Sequence, residues 1–222
     1  MATKLCLENK NHTDKEYKMY VLPKPLEPTR VVAGCIAIYE GLWDDVVKTI
    51  QEIEQETLDK ESLVKFFKSK TLEDPEDSLN KRTNLDLNLT KAAEISEPLR
   101  LIHNKAYEYM AQALRWYVPT YGILDPIMFV EPLNLLQYQG GQEYTAHYDG
   151  GTSTRRAISP IIYLNDDYEG GHLEFTNFEL KIKPKAGTLV LFPSNYAYTH
   201  IAHPVTKGTK YAIVTWLHDY QG

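Results

Sequence analysis

The second half of the chain is dominated by short stretches that favour β-strands. From about residue 127, short apolar or alternating runs are separated by Gly, Pro, Asn and Asp. Eight such runs follow one another: IMFVEPLNLLQYQ, EYTAHYD, AISPIIYLN, GHLEF, ELKIKP, GTLVLFP, YTHIAHPV and KYAIVTWLH. Many short strands with turn residues at this spacing are typical of a β-sandwich or a β-barrel. The pattern therefore predicts a mainly β fold.

The first half carries the patterns of one strand and two supporting helices. Residues 31–39 are apolar and partly β-branched, which predicts a strand. Residues 42–56 and 95–117 place apolar side chains three and four positions apart, which predicts two amphipathic helices. Between them, residues 71–93 hold many Asp, Glu, Asn and Lys and few large apolar residues, which predicts a loop.

Together these segments predict one domain over residues 1–222. Residues 1–30 are polar, contain three prolines and form an extended segment at its start. Residues 31–126 supply the strand, the helices and the loop, and residues 127–219 supply the β core. A chain of this length is long enough for a single β domain with helical additions.

Composition and charge narrow the classes of function. The net charge is −6 and the pI about 5.7, which argues against a nucleic-acid partner, because such partners usually need a basic surface. The two cysteines, Cys6 and Cys35, do not support a disulfide framework and fit a reducing compartment. No signal-peptide pattern and no membrane-spanning run is evident. We therefore expect a soluble, cytoplasmic protein without a membrane partner.

Three residues have the spacing of a metal site. His147 and Asp149 lie two positions apart in a run that reads as a strand entering a turn, so both project from the same face. His200, in the run YTHIAHPV, is the third candidate ligand. Two imidazoles and one carboxylate on one side of an ion leave the opposite positions open, which suits Fe(II) that binds a cosubstrate and O₂. An HxD pair alone is also compatible with a surface histidine beside a turn.

Lys210 lies ten residues after His200 in a strand-like run. Lys210, Ala212, Val214 and Trp216 share one strand face by parity. A lysine on an apolar interior stripe needs an anionic partner, because an unpaired buried charge is costly. Either a carboxylate of the protein or a dicarboxylic acid ligand satisfies that need.

Two tyrosines are candidates for the same pocket. Gly140 and Gly141 lie between two strand-like runs and predict a two-residue hairpin. In that hairpin's register, Tyr138 lies on the same face as His147. Tyr163 belongs to an apolar run that predicts a strand buried on both sides. Either tyrosine is also compatible with simple core packing.

The back half contains an ordered series of motifs: His147 and Asp149, then Tyr163, Leu164, Asn165, Glu169, Gly170 and Gly171, then 187–192, and finally His200, Pro204, Val205, Gly208, Lys210 and Trp216. In these residues it resembles the prolyl 4-hydroxylase family of Fe(II)- and 2-oxoglutarate-dependent dioxygenases. The resemblance covers residues 127–219 and implies a double-stranded β-helix, or jelly-roll, core flanked by N-terminal helices.

Family roles transfer to matching positions only. The resemblance implies that His147, Asp149 and His200 are the iron ligands and the catalytic centre. It implies that Lys210 binds the distal carboxylate of 2-oxoglutarate, and that Tyr138, Tyr163 and Trp216 belong to the cosubstrate pocket: a set of four cofactor-binding residues. The pocket combines features of two subgroups of the family, the collagen-type and the hypoxia-type enzymes. Leu173, two positions after the glycine pair, resembles the hypoxia-type enzymes, whereas the residue that binds the distal carboxylate is Lys rather than Arg.

The implied activity is hydroxylation of a C–H bond, with release of succinate and CO₂. The implied cofactors are Fe(II), with 2-oxoglutarate and O₂ as cosubstrates and ascorbate as a reductant, and the implied substrate is a prolyl residue in a peptide or protein. Two alternatives stay open: the same chemistry on another residue or a small molecule, and a metal-binding jelly-roll without turnover. We also predict that a peptide docks between residues 150–156 and the 71–93 loop, where Arg155 or Arg156 binds it.

Overall fold

The computed structural model describes residues 24–58, 63–69, 81–123, 129–151 and 155–218. These ranges contain the helices α1 (Val46–Leu58), α2 (Leu89–Ile95) and α3 (Glu97–Thr120). The strands are β1 (Arg30–Val32), β2 (Ile36–Tyr39), β3 (Phe67–Lys68), β4 (Leu85–Asn88), β5 (Phe129–Val130), β6 (Asn134–Gln139), β7 (Tyr144–His147), β8 (Arg156–Tyr163), β9 (Glu169–Gly170), β10 (Leu173–Phe175), β11 (Leu180–Ile182), β12 (Thr188–Pro193), β13 (His200–Ala202), β14 (Val205–Lys207), β15 (Thr209–Val214) and β16 (Leu217–His218).

Two antiparallel sheets form the centre of the fold. The larger sheet has the order β1-β2-β12-β8-β15-β6-β4-β3, with β16 paired to β8 and β5 paired to β16. The smaller sheet has the order β11-β10-β13-β7, and β14 pairs with β9. The strand order repeatedly leaves sequence order, as a jelly-roll requires. The prediction of a mainly β fold with a jelly-roll core and flanking helices is confirmed.

The inner faces of the two sheets pack against each other. Tyr163, Phe192 and Ala212 of the larger sheet contact Leu173 and Phe175 of the smaller one in a single buried cluster. Each large apolar side chain buried in this way stabilises the fold by about 1.5–3 kcal/mol. This apolar cluster therefore joins the two sheets.

Helices α1 and α3 cover the outer face of the larger sheet. Ile53 of α1 and Ile102 of α3 share a buried cluster with Leu135 of β6 and Ile213 of β15. The predicted helices are present with shifted bounds, since α1 begins at Val46 and α3 runs from Glu97 to Thr120. These helices leave the inner face of the sheet free for the smaller sheet.

The predicted strand over residues 31–39 is a hairpin rather than one strand. β1 and β2 pair antiparallel, and the turn between them places Ala33 and Gly34 at φ values of 46° and 78°. A left-handed turn of this kind reverses the chain within a few residues. The apolar composition of this segment predicts strands, but it does not predict the turn that reverses the chain between them.

The prediction of a loop over residues 71–93 is wrong in the part that the structure describes. Residues 85–88 form β4, which pairs with β6, and α2 begins at Leu89. Asn88 caps α2 by accepting a hydrogen bond from the backbone N–H of Lys91 at 2.9 Å. Leu87 and Leu89 are buried while their polar neighbours face outward, so the high polarity reflects a one-sided strand. Residues 71–80 lie outside the described residues.

The predicted extended segment over residues 1–30 is described only at its end. Residues 1–23 lie outside the described ranges, residues 24–28 have no regular structure, and β1 begins at Arg30. Among the described helices, none combines the length and the apolar character that crossing a bilayer requires.

The predicted hairpin between β6 and β7 is also wrong. Gly140 and Gly141 do form a turn, with φ values of 56° and 87°. However, β6 pairs with β15 and β4, whereas β7 pairs with β13 in the other sheet. The turn therefore carries the chain from one sheet to the other. Tyr138 and His147 consequently face each other across the inter-sheet space rather than along one ladder.

Candidate metal and cosubstrate site

Two neighbouring strands of the smaller sheet bring three metal-binding side chains together. His147 ends β7, His200 begins β13, and the two residues pair directly across the strands. The Nε2 atoms of His147 and His200 lie 3.7 and 3.8 Å from the carboxylate oxygens of Asp149. One ligand atom of each residue lies within 4.8 Å of the other two, a spacing that a single ion can bridge.

Hydrogen bonds orient both imidazole rings. The Nδ1 atom of His147 lies 2.7 Å from the carbonyl oxygen of Thr145, and the Nδ1 atom of His200 lies 3.0 Å from the carbonyl oxygen of Tyr198. Because a carbonyl only accepts, each Nδ1 donates and each Nε2 keeps its lone pair. Burial, followed by the proximity of His200, lowers the pKa of His147 to about 3. The ring is therefore neutral and ready to bind a cation.

The Asp149 carboxylate is held in its charged form. Burial alone would raise its pKa, but the neighbouring His200 and His147 lower the pKa below the usual value. Its backbone carbonyl accepts a hydrogen bond of 3.3 Å from Nη1 of Arg156, which fixes the start of the following turn. The three side chains thus offer two neutral nitrogens and one anionic oxygen.

A cavity between the two sheets connects this cluster to Lys210. Seven residues predicted for the metal and the cosubstrate all line it: His147, Asp149, His200, Lys210, Tyr138, Tyr163 and Trp216. Lys210, Ala212 and Val214 of β15 share the inner face, as parity predicts. Trp216 lies beyond the end of β15 and reaches the cavity from the following turn.

Lys210 is a buried cation at the end of the cavity remote from the histidines. Only 2% of the residue is exposed, and its Nζ donates a hydrogen bond of 2.8 Å to the carbonyl oxygen of Gly171. The rings of Tyr138 and Tyr163 lie 5.2 and 5.1 Å from Nζ. In the part of the chain that the structure describes, no carboxylate forms an ion pair with Lys210. Burial, followed by Lys183, lowers its pKa to about 7.

The two candidate substrate arginines have different environments. Arg155 is exposed. Arg156 forms a two-pronged ion pair with Glu131, with Nε–Oε1 and Nη2–Oε2 distances of 2.6 and 2.8 Å. Its guanidinium also stacks on Trp216, 3.7 Å from the ring centroid, and His218 makes a second contact to Glu131. Arg156 is thus fixed against Trp216, which lines the cavity, whereas Arg155 is exposed. Residues 152–154 of the predicted docking loop lie outside the described residues.

We expect Arg156→Ala to lower the free energy of unfolding by about 3 kcal/mol, the low end for breaking a buried ion pair, because His218 still contacts Glu131. Urea unfolding at neutral pH measures the change. Arg155→Ala is the matched control and should stay within about 0.5 kcal/mol of the original protein. Equal stability of the two variants would contradict this role for the ion pair.

Arg82 lines the cavity and was not identified from the sequence. It is 8% exposed, and its guanidinium lies 5.1 Å from the ring centroid of Tyr144. The Tyr144 ring in turn stacks on His147 at 3.4 Å between centroids. Nε of Arg82 donates to Oδ1 of Asn84, and Thr83 bonds the backbone of Glu143. Arg82 belongs to the polar segment interpreted as a loop, where no local pattern marks a buried arginine.

The chain is similar to known oxygenases. Residues 133–218 match the family model described as the 2OG-Fe(II) oxygenase superfamily. Among curated proteins, "Probable prolyl 4-hydroxylase 9" of Arabidopsis thaliana is 34% identical over 119 residues, covering 40% of this chain and 41% of that protein. Prolyl 4-hydroxylase 13 of the same organism is 26% identical over 170 residues, covering 63% and 62%. The chain therefore spans less than two thirds of the length of these relatives.

Solved structures share the fold. A prolyl hydroxylase of Trichoplax adhaerens, in complex with a hypoxia inducible factor oxygen degradation domain peptide fragment, has a TM-score of 0.65 at 20% identity and covers 84% of each chain. A Pseudomonas putida prolyl-4-hydroxylase has a TM-score of 0.60 at 19% identity, covering 84% of this chain and 94% of that one. At this identity the likeness concerns the fold. Together with the family match and the curated relatives, it leads to one conclusion: residues 133–218 are similar to the 2OG-Fe(II) oxygenase superfamily, and the relatives of the chain include prolyl 4-hydroxylases.

Proposed function

We propose that this chain is an Fe(II)- and 2-oxoglutarate-dependent dioxygenase that hydroxylates a prolyl residue in a peptide or protein and releases succinate and CO₂. The observation that carries the proposal is the shared cavity, with two imidazoles and a carboxylate at one end and a buried lysine at the other. A metal-binding module without turnover has no need for that lysine. We therefore rank the enzyme above the module.

The donor set fits Fe(II). His147, Asp149 and His200 would hold the ion from one side, since their ligand atoms converge and both Nε2 atoms keep their lone pairs. Bound iron supplies the redox chemistry that couples oxidative decarboxylation of 2-oxoglutarate to insertion of one oxygen atom of O₂ into a C–H bond. Phe192 and Phe175 pack on His200 and keep water from the ligands on that side.

The opposite end of the cavity fits a dicarboxylate. Lys210 would bind the distal carboxylate, because its buried ammonium has a carbonyl contact but no ion pair among the described residues. Tyr138 and Tyr163 would hold the cosubstrate between them, and Trp216 would close the wall near the turn. The protein's contribution is orientation: it places one end of the ligand at Lys210 so that the other end reaches the metal ligands.

Binding of 2-oxoglutarate should weaken as the pH rises. The pKa of Lys210 in the ligand-free protein is about 7, and only the protonated form attracts a carboxylate. Above that pH, binding must take up a proton, so we expect the Kd to rise by about tenfold per pH unit. Anaerobic calorimetry with Mn(II) between pH 6.5 and 8.5 measures the trend. Lys210→Arg, whose guanidinium stays protonated, should lose the trend, whereas a flat profile in the unaltered protein would contradict the role of Lys210.

The proposed substrate class rests on the relatives' names and on the cavity wall. Curated relatives include prolyl 4-hydroxylases and a prolyl 3-hydroxylase, so proline is the residue that we propose. Arg155 is exposed and therefore the better candidate for contacting a peptide, and Arg156 would hold Trp216 in the cavity wall. Another residue or a small molecule is the alternative substrate, ascorbate is the proposed reductant, and the cytoplasm is the proposed compartment.

The test has two stages. Anaerobic titration should first show that 2-oxoglutarate binds to the protein in the presence of Mn(II). Fe(II), 2-oxoglutarate and O₂ are then supplied with a panel of proline-containing peptides and with matched panels in which alanine replaces proline. Succinate release that increases only with proline, together with a 16 Da mass increase on that residue, supports the proposal. Succinate release without peptide dependence favours a small-molecule substrate, and no succinate at all favours the metal-binding module.

A further inference from the structure

The buried hydroxyl of Tyr168 has no hydrogen-bond partner within the described residues. Tyr168 is 5% exposed and packs in one apolar cluster with Tyr138 and Val205. A buried hydroxyl without a partner destabilises a folded protein, so such groups are rare and usually have another use. The residue lies three positions before Gly171 and was not among the predicted site residues.

The phenol end of Tyr168 lies beside the group that holds Lys210. A Cβ built on Gly171 would approach Cε2 of Tyr168 to 2.6 Å, so only glycine fits there. The carbonyl of this same Gly171 accepts the hydrogen bond from Nζ of Lys210. The Tyr168 ring centroid is 5.9 Å from that Nζ. Tyr168 and Lys210 therefore both lie beside Gly171.

A second lysine adds positive charge to this corner of the fold, where the carboxylates of Asp166 and Asp167 also lie close enough to raise the pKa of Tyr168. Nζ of Lys183 lies 3.7 Å from the Tyr168 ring centroid and donates to the carbonyls of Tyr168 and Gly170 at 2.6 and 3.0 Å. Two ammonium groups thus lie near one tyrosine, and neither has an ion pair with a carboxylate of the described residues. Phenol donors and ammonium groups together are what a carboxylate requires.

We propose that Tyr168 is a further cosubstrate-binding residue, whose hydroxyl donates to the distal carboxylate of 2-oxoglutarate beside Lys210. The inference rests on the proposed function. The Gly171 carbonyl takes only one of the three donors of Nζ, so Lys210 still has donors for one carboxylate oxygen. The Tyr168 hydroxyl would then serve the second oxygen, and binding would satisfy a donor that is unpaired in the ligand-free protein.

The experiment compares two Tyr→Phe variants on opposite sides of the larger sheet. Tyr168→Phe removes the unpaired hydroxyl. Tyr211→Phe is the matched control: it adjoins Lys210 in sequence, but its hydroxyl accepts a 2.9 Å hydrogen bond from Gln137 on the helix-covered face. For each protein, anaerobic calorimetry gives the Kd of Mn(II) and then the Kd of 2-oxoglutarate with Mn(II) present. Urea unfolding of the ligand-free proteins gives the midpoints.

We expect one variant to change cosubstrate binding and the other to change stability. Tyr168→Phe should raise the Kd of 2-oxoglutarate about tenfold, as for a lost hydrogen bond to a charged group. It should leave the Kd of Mn(II) unchanged, and the unfolding midpoint should be unchanged or higher. Tyr211→Phe should lower the midpoint and leave both Kd values unchanged. If Tyr168→Phe binds 2-oxoglutarate like the unaltered protein, or only loses stability, the inference is overturned and the proposed function stands. If the unaltered protein does not bind 2-oxoglutarate, the proposed function fails, and the inference fails with it.

Discussion

Replacing His200 by alanine should reduce metal-dependent succinate formation to the level of the metal-free protein. His200 is 3% exposed and supplies one of three ligand atoms within 4.8 Å of each other, so its loss leaves two ligands. Even residues that only support a metal ligand commonly contribute 10–100-fold to affinity, so we expect the Kd of Mn(II) to rise by at least about a hundredfold. Asp149→Ala and His147→Ala should behave in the same way. Metal titration followed by a succinate assay measures both effects.

His203→Ala is the matched control for this prediction. His203 lies three residues after His200, but its Nε2 contacts a carboxylate oxygen of Glu174 at 2.6 Å and takes no part in the ligand cluster. We expect the His203 variant to keep the metal affinity and the turnover of the unaltered protein. Circular dichroism should show that both variants remain folded, because the apolar cluster that joins the sheets contains many side chains besides the two phenylalanines that contact the His200 ring. Turnover at the original rate in His200→Ala would remove this residue from the metal site.

The alternation of side chains along a strand was sufficient to predict much of the site. His147 and Asp149 are two positions apart, and a strand projects such residues to one face without any knowledge of the fold. The same rule placed Lys210 on the inner face of β15, where the structure has it with Ala212 and Val214. The position of His200 opposite His147 depends on strand pairing, and the resemblance to a family supplied that match rather than any pattern within the chain.

Long-range pairing could not be predicted in the same way. The turn at Gly140 was recognised, yet β6 and β7 enter different sheets because their partners, β15 and β13, lie far along the chain. The polar segment before Leu89 was interpreted as a loop, since a short strand with only one buried residue carries few apolar side chains. Arg82 was missed with it. In both places the structure is determined by contacts between residues that are far apart in the sequence, and a local sequence pattern cannot predict such contacts.

Lys210→Met should separate cosubstrate binding from stability. Methionine keeps the length and the apolar stem of the side chain but removes the charge, so the distal carboxylate of 2-oxoglutarate loses its partner. A hydrogen bond to a charged group is worth about 1.5–3 kcal/mol, so the KM for 2-oxoglutarate should rise at least about tenfold. In the ligand-free protein the buried ammonium has no ion pair among the described residues, and its removal should leave the unfolding midpoint in urea unchanged or higher.

Lys207→Met, at an exposed lysine paired with Glu169, is the control and should change neither quantity. An unaltered KM in Lys210→Met would mean that the distal carboxylate binds elsewhere, whereas a marked loss of stability would mean that Lys210 is a structural residue.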